Sequence, residues 1–147
     1  MALKICSSDR PKSSSLACHY SPIQVDSMLG KVIAGLGQAG YFLSREGYRQ
    51  QFLNRLGFIP FPGTLNVLLE ESFPASAPAI LIQGFSEKEE RFGACRCYRI
   101  RINGLDAVAI RPEKSSHPPE LIEVIAPLNL RRALNLKDGD TVEVSTS

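Results

Sequence analysis

The chain has 147 residues, enough for one domain with a core of its own, and its 44% apolar and 22% charged residues are ordinary for a soluble globular protein. Its formal net charge is +2, and leaving out residues 1–27 gives 14 Lys/Arg against 13 Asp/Glu, a balance that argues against a general nucleic-acid binder. No stretch approaches the roughly 18 uninterrupted apolar residues of a membrane span, and "MALKICSSDRPKSSSLACHY" lacks the apolar centre of a secretory signal, so a cytoplasmic protein with no membrane partner is expected.

Residues 1–27 are rich in Ser, Lys and Pro without a hydrophobic period, which predicts a poorly ordered tail and a folded domain over 28–147, opening at Met28. "MLGKVIAGLGQAGYFL" reads as a strand, a glycine loop and a new element. In "REGYRQQFLNRLGF", Tyr48, Phe52, Leu53 and Leu56 fall on one helical stripe, and Gly57 is placed to end that helix. "TLNVLLEE", "AILIQGF", "RFGACRCYRIRIN" and "LDAVAIRP" read as strands, the last two joined by a hairpin at Asn103-Gly104. Within "RFGACRCYRIRIN", Cys95 and Cys97 alternate on one face while Tyr98, Ile100 and Ile102 alternate on the other. That conflict predicts a bulge near Cys97 and Tyr98 to turn both sets inward. "LIEVIA" gives a further strand, "APLNLRRALNL" a proline turn and a short helix, and "LNLKDGDTVEV" a turn at Asp138-Gly139 before a final strand. Six or so strands with two short helices suit a mainly β protein folded as a small closed barrel.

The cysteines stand at 6, 18, 95 and 97, and the Cys95-x-Cys97 pair has no second ligand pair to complete a zinc site, so buried reduced thiols are expected. Gly35, Gly37 and Gly40 satisfy G-x-G-x-x-G, but aromatics and antiparallel strands follow instead of a βαβ unit, and no Gly-Lys-Ser/Thr occurs. A dinucleotide-binding or Walker loop is therefore rejected. Glycines still let backbone N–H groups approach phosphate oxygens, although on the residues alone a tight turn without ligand is the better reading.

"GFIPFPGTLNV" sets a stiff turn before a strand, and strand geometry sends Thr64 and Asn66 to one face and Leu65 and Val67 to the other. Two readings of that pair stand level: neutral oxygen ligands for Mg²⁺ beside phosphates, or a turn whose side chains cap backbone groups. His117 reads as an ordinary loop histidine, since no matching nucleophile arrangement accompanies it. Glu123 lies in an apolar strand, where a carboxylate needs a partner and ligand recognition is an option. Arg131 and Arg132, near a helix start, suit phosphate or base recognition, with a solvated helix face as the commoner meaning.

Taken together, "GKVIAGLGQAGYFLS", "YRQQFLNRLGFIPFPGTLNV", "RPEKSSHPPELIEVIAPLNLR" and "LNLKDGDTVEV", in that order, resemble the archaeal-type CTP-dependent riboflavin kinase family over nearly everything from Gly30 to Val144. The resemblance implies a six-stranded cradle-loop barrel, riboflavin-synthase-like, that transfers the γ-phosphoryl group of CTP to the 5′-hydroxyl of riboflavin. It implies a CTP loop at Gly35, Leu36, Gly37, Gln38, Ala39 and Gly40, with a second nucleotide segment at Leu128, Asn129, Leu130 and Arg131. Mg²⁺ ligands fall on Thr64 and Asn66, and flavin contacts on Ser115 and Glu123. Glu123 is then the candidate to orient and deprotonate the ribityl hydroxyl. The chain departs from the family pattern at Gly40, where members can carry a lysine, and at Ser115, where a threonine is common. A monomer is expected, with riboflavin and CTP as its small-molecule partners. The rivals are a flavin- or nucleotide-binding barrel without turnover, motivated by the missing lysine, and a DNA-binding regulator, against which the short irregular tail and near-neutral charge speak.

Overall fold

A computed structural model of the protein describes residues 27–35, 37–74, 77–114 and 116–146. The tail expected at 1–27 lies outside these residues except for Ser27, and Cys6, Cys18, Leu36 and Ser115 lie outside them too.

Alternation along the strands builds the molecule. In β1 (Ser27–Ile33), β2 (Leu65–Leu69) and β9 (Thr141–Thr146), alternate residues turn into the core and their neighbours face out. Between β1 and β2 come α1 (Ala39–Leu43) and α2 (Glu46–Leu56). After β2 follow β3 (Ile80–Ile82), β4 (Phe85–Glu87), β5 (Glu90–Phe92), β6 (Cys95–Ile102), β7 (Leu105–Pro112), β8 (Leu121–Ile125) and α3 (Leu130–Ala133). Antiparallel pairing runs β6-β7-β8-β2-β1-β9, and Ile100↔Thr146 to Ile102↔Val144 join β9 back to β6. The result is the expected closed barrel of six strands. β3 pairs with the other half of β6, from Ile80↔Cys97 to Ile82↔Cys95. Among the described residues no helix is long and apolar enough to cross a membrane.

Two apolar clusters result. One fills the barrel, with Val32, Val67, Tyr98, Ile100, Ile122 and Val124 among its members. The other lies against the outer face of β6, β7 and β8, where Phe52 and Leu56 of α2 and Leu43 of α1 meet Cys97, Val108 and Ile110. This second cluster explains why no bulge forms near Cys97 and Tyr98: the β6–β7 register runs unbroken from Cys95↔Pro112 to Ile102↔Leu105. Cys95 and Cys97 are buried outside the barrel and Tyr98, Ile100 and Ile102 inside it, so a regular strand buries both sets. Both thiols are free and buried, as expected. A hydrogen bond to Cys95, and burial after it, hold the Cys97 thiol well above its ordinary range.

The α2 stripe is narrower than expected, since Phe52 and Leu56 are buried but Leu53 is 45% exposed. Gly57 ends α2 at φ 89°, with its N–H donating to the carbonyls of Phe52 and Leu53. Asn103 and Gly104, at φ 47° and 83°, form the tight hairpin turn between β6 and β7. Three differences from the sequence reading remain. "AILIQGF" and "RFGACRCYRIRIN" each split in two, and the released pieces pair as the β4–β5 hairpin from Phe85↔Phe92 to Glu87↔Glu90. The element after the glycine loop is the five-residue helix α1, so the described residues hold three helices instead of two.

Candidate functional site

The stretch from Gly57 to Gly63 leads into β2 under firm restraint. Phe61 N–H donates to the Ala126 carbonyl at 2.8 Å, and Gly63 N–H donates to the Phe61 carbonyl at 2.7 Å. β2 then follows between β1 and β8, with Asn66 directly opposite Ile33 on one side and Glu123 on the other. Leu65, Val67, Ile122 and Val124 are buried inside the barrel, so Asn66 and Glu123 project from its outer face, half-buried. Register alone thus brings together two residues 57 positions apart in "TLN" and "LIEV".

Thr64 Oγ1 donates to Asn66 Oδ1 at 3.0 Å and stands 3.4 Å from Glu123 Oε1. The other carboxylate oxygen, Oε2, lies 3.7 Å from His117 Nδ1, an ion-pair separation when the imidazole is charged. Glu123 is well covered, its side chain 19% exposed. The carboxylate on an apolar strand therefore has the partners that its burial demands.

The glycine loop rests on Asn66 at one end and on the turn before Thr64 at the other. A Cβ on Gly35 would sit 2.9 Å from Asn66 Nδ2, and one on Gly40 would sit 3.0 Å from the Pro62 carbonyl. At position 35 a side chain would displace the end of the Asn66 side chain, and at position 40 it would need the Pro62 carbonyl to give by a few tenths of an ångström. Gly37 turns the loop at φ 76°, Gln38 stands at the start of α1, and Ala39 and Gly40 form its first residues. The contact at Gly40 bears on the family lysine: any side chain there must share space with the stiff turn before Thr64.

The second expected nucleotide segment stands beside the first cluster. Leu128, Asn129, Leu130 and Arg131 line a cleft of about 140 Å³ together with Phe61, Gly63 and Thr64, so Thr64 belongs to both places. Asn129 Oδ1 accepts from Arg132 N–H at 3.2 Å and caps α3, which orients the segment. Arg131 turns inward to this corner, whereas Arg132 is exposed. Glu123, Asn66 and the loop glycines do not line the cleft; Glu123 and Asn66 border it through Thr64.

Among the described residues no group of three or more His, Cys, Asp or Glu is gathered to hold a metal. An ion bound here would take neutral oxygens from the protein. The Thr64 hydroxyl and Asn66 carboxamide, 3.0 Å apart with one carboxylate oxygen at 3.4 Å, fit a hard divalent ion whose remaining positions are filled by water and phosphate. Of the other expected contacts, Leu36 and Ser115 lie outside the described residues. His117, read from sequence as an ordinary loop histidine, stands against Glu123 instead. The signal for it was present: a carboxylate in an apolar strand, and a titratable side chain on the loop feeding that strand. Phe61 was read only as part of a stiff turn and Asp138 only as part of another; the first lines the cleft and the second binds Arg131.

A family model for the CTP-dependent riboflavin kinase domain, described as Domain of unknown function DUF120, matches residues 32–146. Among similar proteins is a riboflavin kinase of Methanocella arvoryzae, 54% identical over 119 residues that make up 80% of this chain and 56% of that protein. A riboflavin kinase of Ignicoccus hospitalis is 47% identical over 124 residues, 80% of this chain and 69% of its own length. One of Methanosarcina barkeri is 44% identical over 132 residues, 85% and 59%. The chain thus spans about half to two-thirds of the length of the curated relatives it matches. A match over most of the sheet, from the last residues of β1 to the end of β9, together with this identity, settles the grouping: the chain belongs to the CTP-dependent riboflavin kinase domain family.

Proposed function

We propose that this barrel is a riboflavin kinase that uses CTP: the 5′-hydroxyl oxygen of riboflavin attacks the γ-phosphorus, the bond from that phosphorus to the β–γ bridging oxygen breaks, and FMN and CDP leave. The observation that carries the reading is the convergence of Thr64, Asn66 and Glu123 on the outer face of β2 and β8, with Gly35 packed on Asn66. Phosphoryl transfer asks for little covalent chemistry from a protein; it asks for in-line positioning and neutralisation of phosphate charge. The residues here divide along those lines.

The backbone of residues 35–40, lacking bulky side chains at its ends, lets phosphates come close to its amides. Thr64 and Asn66 would hold Mg²⁺, and the ion would supply positive charge to offset that of the phosphates. Glu123 orients the ribityl hydroxyl and accepts its proton as the new P–O bond forms, a role for which its carboxylate is fixed on one side by Thr64 and approached on the other by His117. Arg131, lining the cleft, supplies the cation that Gly40 does not. Relatives named as riboflavin kinases support the flavin substrate, and the family's name supports CTP.

Incubating the chain with riboflavin, Mg²⁺ and each of the four nucleoside triphosphates, and following FMN by chromatography, tests the reading. FMN formed fastest with CTP is expected. Riboflavin and CTP binding without any product would replace it with the turnover-free binding barrel.

A further inference from the structure

One side chain holds the corner where α3, the end of β1 and the turn before β9 meet. Arg131 Nη2 donates to Asp138 Oδ1 at 2.7 Å and to the Ile33 carbonyl at 3.3 Å. The turn that carries Asp138 is itself tied to β1: Gly139 N–H donates to the Val32 carbonyl at 2.7 Å, and Val32 N–H to the Asp140 carbonyl at 2.9 Å. Lys137 N–H closes the turn on Asp140 Oδ2 at 2.8 Å. Asp138 is therefore a carboxylate on a fixed platform, and Ile33 stands two residues before Gly35, where the glycine loop meets Asn66.

Both contacts of Arg131 run from the same nitrogen. Nη1 and Nε make no contact of this kind among the described residues, and Arg131 lines the cleft with Thr64 and Asn129. With Nη2 held, the Nη1 amino group is still a charge-assisted donor for a phosphate oxygen or for an acceptor atom of a base. We infer that Asp138 is a positioning residue for nucleotide binding: it holds Arg131 by Nη2 so that the free Nη1 amino group is offered to a nucleotide in the cleft. The inference rests on the nucleotide-dependent reading above and adds to it a residue outside the expected contacts. Without Asp138 the long arginine side chain must be ordered at the moment of binding, which weakens affinity and leaves the chemical step alone.

The test is a double-mutant cycle on the full chain, with Asp138→Ala, Arg131→Ala and the pair, and with Asp138→Asn as the conservative variant. CDP affinity without riboflavin is measured by calorimetry, beside KM for CTP, KM for riboflavin, kcat and Tm. Asp138→Ala is expected to raise the CDP Kd and the CTP KM about three- to tenfold, with kcat, riboflavin KM and Tm close to those of the wild type. Asp138→Asn, which keeps the acceptor oxygen, is expected to restore most of the affinity, and Asp138→Ala to add nothing once Arg131 is gone. Unchanged or tighter binding in Asp138→Ala, full additivity with Arg131→Ala, or weak binding that tracks a fall in Tm and is not restored by Asp138→Asn would overturn it. If wild-type protein binds CDP with this pattern yet makes no FMN, the kinase reading fails and the role of Asp138 stands. A wild type that binds no nucleotide sinks both.

Discussion

The two faces of β2 and β8 differ as sharply as any two regions of the protein. Inward, Leu65, Val67, Ile122 and Val124 are at most 3% exposed and join the barrel core. Outward, one residue along, Asn66 and Glu123 meet across the same strand pair with Thr64 beside them. Stability and chemistry thus alternate residue by residue along one backbone. The ladder that packs the core also sets the spacing of the polar cluster, so neither face has geometry independent of the other.

Neighbouring substitutions should separate the two. Glu123→Gln is expected to lower kcat by about 10²- to 10⁴-fold while the melting temperature stays near that of the wild type; steady-state rates beside thermal denaturation check this, and wild-type turnover would remove Glu123 from the mechanism. Ile122→Ala, one position away and facing the barrel core with no exposure, should do the reverse. A loss of about 2 to 5 kcal/mol of stability is expected from the cavity, read by urea denaturation, with kcat of the folded fraction preserved. If activity vanished without that loss of stability, the division between faces would be wrong.

A smaller effect tests the helical cover on the outer face. Tyr48 of α2 donates its hydroxyl to the Gly93 carbonyl at 2.6 Å, and burial, with the nearby Cys95 thiol contributing, pushes its pKa up from 10.0 to about 12. A pKa raised in the folded state contributes stability that is complete below the unfolded value and is lost as pH rises through the folded one. Between about pH 10 and 12, then, the melting temperature should fall, and Tyr48→Phe should flatten that slope. An equal fall in the Phe variant would assign the alkaline loss to other groups.

Much of this was legible in the sequence where one local rule decided the matter. Asn103-Gly104 and Gly57 announced their turns because few residues adopt positive φ, and both do so. The pairing of Thr64 with Asn66 followed from the period of a strand. What stayed hidden depended on a second layer. Alternation in β6 cannot tell a bulge from a regular strand buried on both faces; α2 lying over Cys97 decides it. Nor can it show that Leu53 points away from that layer. The β4–β5 hairpin eluded the strand reading because Gly84 breaks the first run where its α-carbon passes Phe92; a Cβ there would lie 2.8 Å from the Phe92 carbonyl. His117 meets Glu123, and Arg131 meets Asp138, through loops whose course no periodicity specifies.

The way the ring shuts has a consequence for the order of biosynthesis. β9 is the strand that pairs with both β1 and β6, joining Ser27 to Ser145 and Ile102 to Val144. On the ribosome, both of those partners emerge long before Val144 and wait with unsatisfied amides and carbonyls. Final closure is a long-range event that comes late, the kind of step that slows folding of β proteins. A nascent chain halted before Thr141 would leave two open sheet edges, a natural substrate for chaperones or proteases.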